Sequence, residues 1–407
     1  MEGDLRGPDR SRGELTDEAI AAIRSIEALG HDPLLLGYHP IARLNPFQSL
    51  LYQRAWEAGV APLPVVRDER IDELTELARL GFPTVLHLHW LNMIFGRASS
   101  PRDGRRARDS FLRRLDLFRA AGGRVAWTVH NILPHGTPLE SDEADLRRAI
   151  VERSEVVHVM AERTVELVRP WFDIPAAKVL HVPHPAYTGA YPDVVTREEG
   201  RHQLRIASDE TVFVVLGSIK PYKGLVELLD AWESLPADGR PRRLVIAGAP
   251  SGEPGVAESI ARGARMTTVL VHPRQLEPHE LQIFMRAADV AVLPYLRTLN
   301  SGVLMLALTF GLPVVVPLEG ALTDLVDERF ARTFDGDAPS SLADALLGAD
   351  ALLTAEARSA ALAAAERHAP GPLSLRFAMG LREMLSIGDD RPTEPVRGSD
   401  LPGVAGS

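Results

Sequence analysis

Residues 211–232 read TVFVVLGSIKPYKGLVELLDAW, and this stretch decides the fold. An apolar run, typical of a strand covered on both faces, leads into Gly217 and a short loop with Lys220 and Lys223. Gly224 then opens a helix. A strand, a loop and a helix in this order form the first unit of a doubly wound α/β domain. Ligands in such domains bind beyond the carboxyl ends of the strands, where this loop lies.

The alternation of strands and helices continues on both sides of this stretch. Downstream, strands are predicted for RRLVIAGAP, TVLVHP, DVAVLPY and PVVVP. Upstream, the predicted strands are PLLLGYH, VAPLPVV, TVLHLHW, RVAWTVH, EVVHVM and KVLHVPH. The sequence therefore predicts an α/β protein with two doubly wound, Rossmann-like domains whose strand ends face a central cleft.

The domain limits follow from length and composition. The chain has 407 residues, more than the roughly 250–300 at which single cores stop growing. Residues 186–208 are polar and irregular, so they are predicted to connect a first domain at 14–185 to a second at 209–370. A helix at 371–387 is a candidate for crossing back to the first domain. Residues 388–407 are predicted to be a flexible tail.

Composition excludes several classes of function. The formal net charge is −10, which argues against general nucleic-acid binding. The absence of cysteine rules out disulfides, thiolate metal sites and a cysteine nucleophile. No apolar leader and no run of roughly 20 apolar residues is found. We therefore expect a cytoplasmic protein, at most peripheral at the inner membrane face.

The loop after the first strand of the second domain is a candidate phosphate site. Lys220 and Lys223 supply ammonium groups, and Gly224 opens a helix whose free N–H groups favour an anion. The alternative is a turn with two solvated lysines.

A second candidate anion site lies in LPYLRTLNSGVLMLALTFGLPVVVP, residues 293–317. Asn300 or Ser301 is predicted to cap a helix whose first turn contains Gly302. The alternative is an ordinary helix cap without a ligand.

These motifs together resemble a known family. The order GSIKPYKG, LVIAG, AADVAVLPY and SGVLMLALTFGLPVVVP is similar to the donor domain of GT-B glycosyltransferases, above all the large retaining superfamily of bacterial mannosyltransferases and exopolysaccharide glycosyltransferases. HLHW, TVHN and HVPHP agree in the first half, so the resemblance covers about residues 30–385. It implies a hexosyltransferase that moves sugar from a UDP- or GDP-sugar to a hydroxyl acceptor. A lipid-linked oligosaccharide, a polysaccharide intermediate and a small metabolite stay open as acceptors.

The resemblance also assigns the donor phosphate site. It implies that Lys220 and Lys223 hold the diphosphate, with Gly224, Ser301 and Gly302 facing the same phosphates. Fixed cations and helix N–H groups stabilise the negative charge that grows on a leaving nucleoside diphosphate. No metal and no other cofactor is therefore expected.

The sequence departs from the family where two glutamates normally contact the donor sugar and the ribose. Aligned on Gly311, these positions hold Thr298 and Leu306. The nucleotide, the sugar and the stereochemistry of transfer therefore stay open. Thr298 and Asn300 are expected to contact the sugar or the acceptor.

Histidines at predicted strand ends complete the candidate site. His130 and Asn131 follow a strand, and the resemblance implies that this histidine lies against the donor sugar and the reacting centre. His89 and Trp90 end another strand and are candidates for the acceptor site. His184 ends the last strand of the first domain, where it faces the cleft or packs in the hinge.

Two other readings of the same fold stay open. The first is a non-catalytic sugar-binding or partner module, favoured by the missing carboxylates. The second is a nucleotide-sugar epimerase, which would need more carboxylates in the cleft. Donor hydrolysis or sugar transfer by the purified protein distinguishes them.

A basic segment in the first domain suggests a membrane partner. Residues Arg97–Arg124 contain nine arginines and three acids, a net charge of +6. The segment is either a solvated surface around a packed helix or a face that binds anionic lipid.

Overall fold

A computed structural model describes residues 14–96, 100–132, 140–318, 320–338 and 340–386. The predicted tail and Arg97 lie outside the described residues. The strands are β1 Leu34–His39, β2 Val60–Pro64, β3 Thr84–Leu88, β4 Arg124–Thr128, β5 Val156–Val159, β6 Val179–His181, β7 Thr211–Leu216, β8 Arg242–Ala247, β9 Val269–His272, β10 Val290–Val292, β11 Val314–Pro317 and β12 Ala331–Phe334. The helices are α1 Glu14–Ala28, α2 Phe47–Tyr52, α3 Arg70–Arg79, α4 Pro101–Ala120, α5 Glu140–Arg153, α6 Thr164–Val168, α7 Arg197–Leu204, α8 Leu225–Glu233, α9 Val256–Arg265, α10 Leu281–Ala287, α11 Gly302–Thr309, α12 Ser341–Gly348, α13 Ala355–Arg367 and α14 Pro370–Met384.

The strands form two parallel six-stranded sheets, so the predicted fold class is confirmed. The first sheet has the order β2-β1-β3-β4-β5-β6 and the second has β12-β11-β10-β7-β8-β9. We call the chain through β6 the first half and the chain from β7 the second half. In the second sheet the strand order reverses between β7 and β10. Such a reversal opens a crevice at the carboxyl ends of the strands.

Both sheets are covered by helices on their two faces. Every residue of β3 and β5 is buried, which explains why these strands lack polar alternation. The sequence did not predict β12, whose sequence is ARTF. It lies at the sheet edge and pairs with β11 alone, so Arg332 and Thr333 need not be buried.

The segment predicted to be an irregular connection contains a helix, so that prediction is wrong in part. Thr196 accepts a hydrogen bond from the Glu199 N–H, and the Glu199 carboxylate accepts one from the Thr196 N–H. This capping box starts α7. The helix then packs against α10 of the second half.

The last described helix, α14, packs on the first half of the chain. Ser374 Oγ accepts a hydrogen bond from the Arg54 N–H at 2.9 Å, and Phe377 is fully buried against Tyr52. The exact domain limits stay a prediction. Within the described chain, no helix combines the length and apolarity that crossing a bilayer requires.

Candidate active site

A cavity of about 360 Å³ opens at the carboxyl edge of the second sheet, between the two halves. Its volume falls within the range of about 300–1,000 Å³ that is usual for small-molecule sites. The ends of β7 and β8 form one wall, and the first turn of α11 forms another. The residues that line it are Leu44, Asn45, Tyr187, Tyr191, Leu216, Gly217, Ser218, Lys223, Gly248, Ala249, Gln275, Leu276, Pro278, Leu281, Gly302, Val303 and Leu306.

Lys223 is the cation of this cavity. Its Nζ lies against Gly217 and 5.5 Å from the centre of the Tyr295 ring. Burial, and then the charge of Lys220, lower the pKa of Lys223 to about 8. Lys220 is not among the residues that line the cavity, and its charge acts on Lys223.

The first turn of α11 faces the same space. Ser301 Oγ accepts a hydrogen bond from the Leu304 N–H at 3.1 Å, so Ser301 is the N-cap of this helix. The N–H groups of Gly302 and Val303 make no hydrogen bond to described residues, and both residues line the cavity. A Cβ on Gly302 would lie 2.3 Å from the Tyr187 hydroxyl, so a larger residue there would require the Tyr187 side chain to move.

Gly224 has a different role from the predicted phosphate contact. Its φ of 66° is left-handed, and a Cβ would lie 1.9 Å from the Pro294 carbonyl oxygen. Its N–H donates to the Pro221 carbonyl at 3.1 Å. Gly224 therefore lets two loops pack closely behind the cavity wall, and its N–H is not free for an anion.

The predicted residues of the first half meet around His130. His130 is 7% exposed as a whole residue, and its ring stacks on Trp90 with 4.2 Å between ring centres. His130 Nε2 lies 2.9 Å from His89 Nδ1. Burial, and then the neighbouring histidines, lower the pKa of His130 well below its usual range. Asn131 follows on the surface and is exposed.

A series of hydrogen bonds continues from His130 into the protein. We call it the histidine chain, and its members in order are His130, His89, Tyr52, His87, Thr128, His158 and the carbonyl of Val182. Sequence reasoning missed Tyr52, Thr128 and His158 as parts of the site. A signal was present, because the neighbouring strands β3, β4 and β5 carry His87, Thr128 and His158, with Thr128 opposite His158.

One loop of the second half reaches the histidines of the first. Asn300 Nδ2 donates to the His130 carbonyl at 2.8 Å, and Leu299 is buried in the core of the first half. The Thr298 hydroxyl donates to the Asn300 carbonyl at 2.9 Å. Asn300 therefore lies beside His130, while the Thr298 hydroxyl stabilises its own loop.

His184 lies in the connection between the halves. Its Nδ1 bonds to the Pro185 carbonyl oxygen at 2.8 Å, and its ring contacts those of Phe47 and Tyr187. Of the two interpretations of this residue, packing in the hinge agrees with these contacts. Among the described residues, no three His, Asp or Glu side chains are grouped to hold a metal ion.

Known proteins share this architecture. Residues 196–361 match the family described as Glycosyl transferases group 1. The chain is a GT-B glycosyltransferase. This glycosyltransferase is 26% identical over 326 residues to GDP-mannose:glycolipid 4-beta-D-mannosyltransferase from Xanthomonas campestris pv. campestris, across 76% of this chain and 80% of the relative. It is 33% identical over 182 residues to D-inositol 3-phosphate glycosyltransferase from Xylanimonas cellulosilytica, across 44% and 42%.

Solved structures agree with the fold of the glycosyltransferase. Anabaena HepE in complex with UDP superposes with a TM-score of 0.64 at 13% identity, across 86% of this chain and all (100%) of that one. Sucrose-phosphate synthase from Thermosynechococcus elongatus superposes with a TM-score of 0.62 at 16% identity, across 88% and 100%. The predicted family, fold and enzyme class are confirmed, and nothing favours the epimerase or the non-catalytic module.

The glycosyltransferase differs from the usual family pattern inside the cavity. Leu306, at the position of a usual ribose-binding glutamate, lines the cavity and is 4% exposed. Polar groups that sequence reasoning did not assign to the donor lie across the space, on Tyr187, Gln275 and Asn45. Asn45 Oδ1 accepts from the Phe47 N–H and the Tyr187 hydroxyl, and its Nδ2 donates to no described residue.

Proposed function

We propose that this glycosyltransferase transfers mannose from GDP-mannose to a hydroxyl group of a glycolipid, as a step in polysaccharide assembly. One observation carries the proposal. The cavity between the halves brings together Lys223 and two N–H groups of α11 that bond to no described residue, in a chain similar over most of its length to a GDP-mannose-dependent enzyme that acts on a glycolipid.

The same groups support a role in bond breaking. As the bond between the sugar and the diphosphate breaks, its electron pair leaves with the nucleoside diphosphate. Lys223 and the N–H groups of Gly302 and Val303 lie where that charge would grow. Fixed donors of this kind stabilise a transition state without reorganisation. We therefore propose a reaction that needs no divalent ion.

We also propose that the first half docks on an anionic membrane face on the cytoplasmic side, where it meets a lipid-borne acceptor. Helix α4 begins at Pro101, capped by Ser100. Three of its exposed arginines, Arg102, Arg106 and Arg113, form no ion pair with described residues. They fall within a sector of about 40° around the helix axis.

The other arginines of α4 are used within the protein. Arg105 and Arg108 pair with Asp142, Arg114 pairs with Asp72, and Arg119 pairs with Glu155. Leu117, which is 64% exposed, lies one turn beyond Arg113 and adds an apolar contact to the basic stripe. The proposed docking surface is therefore the stripe of three arginines with Leu117.

A donor assay tests the proposed reaction. Purified enzyme is incubated with GDP-mannose or UDP-glucose and a glycolipid extract, with and without EDTA, and released nucleotide and mannosylated lipid are measured. We expect turnover with GDP-mannose that EDTA leaves unchanged. Turnover with UDP-glucose alone, or loss of turnover in EDTA, would contradict the donor or the metal-free account respectively.

Lys223→Ala provides the matched variant for this assay. Loss of a charge-assisted phosphate contact costs about 1.5–3 kcal/mol, so kcat/KM should fall roughly 10- to 100-fold. Lys178→Gln is the control, because Lys178 is the one lysine outside the loop and bonds to the Val151 carbonyl in the first half. Equal activity in both variants would remove Lys223 from the donor site.

A further inference from the structure

The histidine chain has a defined direction because one end is a carbonyl. His158 Nε2 lies 2.8 Å from the Val182 carbonyl oxygen, which can only accept, so Nε2 carries a proton. In a neutral His158, Nδ1 is then bare. It therefore accepts from the Thr128 hydroxyl at 2.9 Å. The single hydroxyl proton of Thr128 is used in this bond.

The donor and acceptor of each remaining hydrogen bond in the histidine chain follow from this assignment. Thr128 Oγ1 must accept from His87 Nε2–H at 2.7 Å, so His87 Nδ1 is bare and accepts from the Tyr52 hydroxyl at 2.7 Å. The Tyr52 oxygen accepts from His89 Nε2–H at 2.7 Å. His89 Nδ1 accepts from His130 Nε2–H at 2.9 Å.

The opposite direction would need a buried charge. If every bond were reversed, His158 would carry a proton on Nδ1 for Thr128 and a second on Nε2 for Val182. That is an imidazolium in a residue with no exposed surface. Burial lowers the pKa of His158 to about 4, so the reversed chain is disfavoured at neutral pH.

We propose that the histidine chain holds His130 as the neutral Nε2–H tautomer and presents its bare Nδ1 to a sugar hydroxyl in the cleft. The substrate side of this proposal rests on the proposed function. His130 Nδ1 makes no hydrogen bond to a described residue and is not among the fully buried unpaired atoms. Tyr52, His87, Thr128 and His158 are positioning residues that act through His130.

The bare Nδ1 accepts a hydrogen bond and orients a hydroxyl, but proton uptake at this nitrogen is disfavoured. A proton taken up there and passed along the chain would end on His158, where charge is disfavoured. The Trp90 ring on one face and the Asn300 bond to the backbone carbonyl keep the imidazole in place. The hydroxyl belongs to the donor sugar or to the acceptor.

Breaking the chain at Thr128 should reverse the tautomer of His130. In Thr128→Val, His87 Nε2–H would face no acceptor, and an unpaired buried donor is costly. We expect the proton of His87 to move from Nε2 to Nδ1, where it is donated to the Tyr52 hydroxyl oxygen, so that no buried donor is left unpaired. Tyr52 and His89 then reverse as well, and His130 receives its proton on Nδ1. Thr128→Ser keeps the hydroxyl and should keep the wild-type direction.

Ring-nitrogen NMR of ¹⁵N-histidine protein measures this directly without any sugar. The chain has 13 histidines, and His130→Gln identifies the His130 signals. We expect protonated Nε2 and bare Nδ1 in wild type and Thr128→Ser, and the reverse in Thr128→Val. A proton on Nδ1 of wild-type His130, or the same tautomer in Val and Ser variants, would overturn the proposal. Because no substrate is needed, failure of the proposed donor does not affect this result.

Kinetics with GDP-mannose supply a second readout. We expect kcat to fall about tenfold in Thr128→Val, with recovery in Thr128→Ser and little change in KM, because the nucleotide is held by the second half. If transfer and acceptor-free hydrolysis of GDP-mannose fall together, the oriented hydroxyl is the donor's. If transfer falls alone, it is the acceptor's. Equal kcat in the Val and Ser variants would count against the proposal.

Tyr52→Phe independently interrupts the hydrogen bonds of the histidine chain at a second member. It leaves His89 Nε2–H without an acceptor, so His89 should turn its proton towards His130. The matched control is Tyr38→Phe, since Tyr38 contacts the Tyr52 ring at 5.0 Å but is outside the chain. Both variants remove one phenol hydroxyl, and only Tyr52→Phe should change the His130 signals. The same His130 spectrum in both would contradict the assigned direction.

Discussion

The surroundings of Lys223 make its side-chain amine less basic than that of an ordinary lysine. The chain has only three lysines, and two of them share this loop. Burial and Lys220 lower the pKa of Lys223 to about 8, so its ammonium loses its proton as the pH rises through about 8. Since the protonated form binds phosphate, affinity for a nucleoside diphosphate should be constant below that pH and weaken above it.

The measurement is the pH dependence of GDP affinity in wild type and Lys223→Arg. Arginine stays charged throughout, so the variant should lose the decrease above pH 8 while any titration of GDP itself is common to both. Amine acylation followed by mass spectrometry should also modify Lys223 at pH 8, and GDP should protect it. Parallel affinity curves for the two proteins would show that Lys223 does not govern binding.

One neighbouring atom, the Tyr187 hydroxyl oxygen, would crowd a side chain at Gly302. A Cβ there would lie 2.3 Å from the Tyr187 hydroxyl but 3.3 Å from the ring carbon that bears it. Gly302→Ala should destabilise the protein by about 1–3 kcal/mol through overpacking, and Tyr187→Phe should relieve most of that loss. Thermal unfolding of both single variants and the double variant measures the coupling. Strictly additive losses would mean that the two residues do not meet.

Helix α7 is held to the second half by one buried carboxylate. Asp289 accepts from Arg201 at 2.6 Å, Arg197 at 2.8 Å and the Val212 N–H at 2.9 Å. Asp289→Ala would leave the buried Arg201 without its counter-ion, which costs about 3–5 kcal/mol.

Urea unfolding of Asp289→Ala tests this role against a matched ion pair. Asp193, which is 41% exposed, pairs with Arg286 of α10 on the surface, and Asp193→Ala should cost less than about 1 kcal/mol. Similar urea midpoints for the two variants would refute the role of Asp289 as the anchor of α7.

Whether a strand could be predicted from the sequence depended on how completely its two faces are buried. Strands with both faces covered were predicted from their apolar runs, whereas β12 escaped because an edge strand tolerates Arg332. The residues at strand ends were also predictable, and His89, Trp90 and His130 do meet. The hydrogen bonds that connect them through Tyr52, Thr128 and His158 were not predictable. They depend on the strand register, which places Thr128 opposite His158. A single sequence does not fix that register.

The position of α4 leads to a test of membrane docking. Each basic residue near an anionic surface contributes about 1 kcal/mol, so three arginines should give docking that salt removes. We expect sedimentation with anionic liposomes at low salt, release at high salt, and no binding to neutral liposomes. Replacing Arg102, Arg106 and Arg113 together by glutamine should abolish sedimentation.

The control for charge alone replaces three exposed arginines elsewhere, Arg24, Arg265 and Arg367, by glutamine. This variant has the same net charge and should still sediment. Loss of binding in both variants would indicate a general charge effect. Binding to neutral liposomes would instead indicate insertion of apolar groups such as Leu117.

The two chain crossings between the halves are hydrogen-bonded to each other. The Ala186 N–H, just after β6, donates to the His368 carbonyl, just before α14, at 2.8 Å. A rotation of one half about this point would displace each atom in proportion to its distance from it. At the far side, the contacts across the gap include the Asn300–His130 bond and a bond from Arg163 to the Gly320 carbonyl. Rotation about this point would have to break both bonds and withdraw Leu299 from the core of the first half.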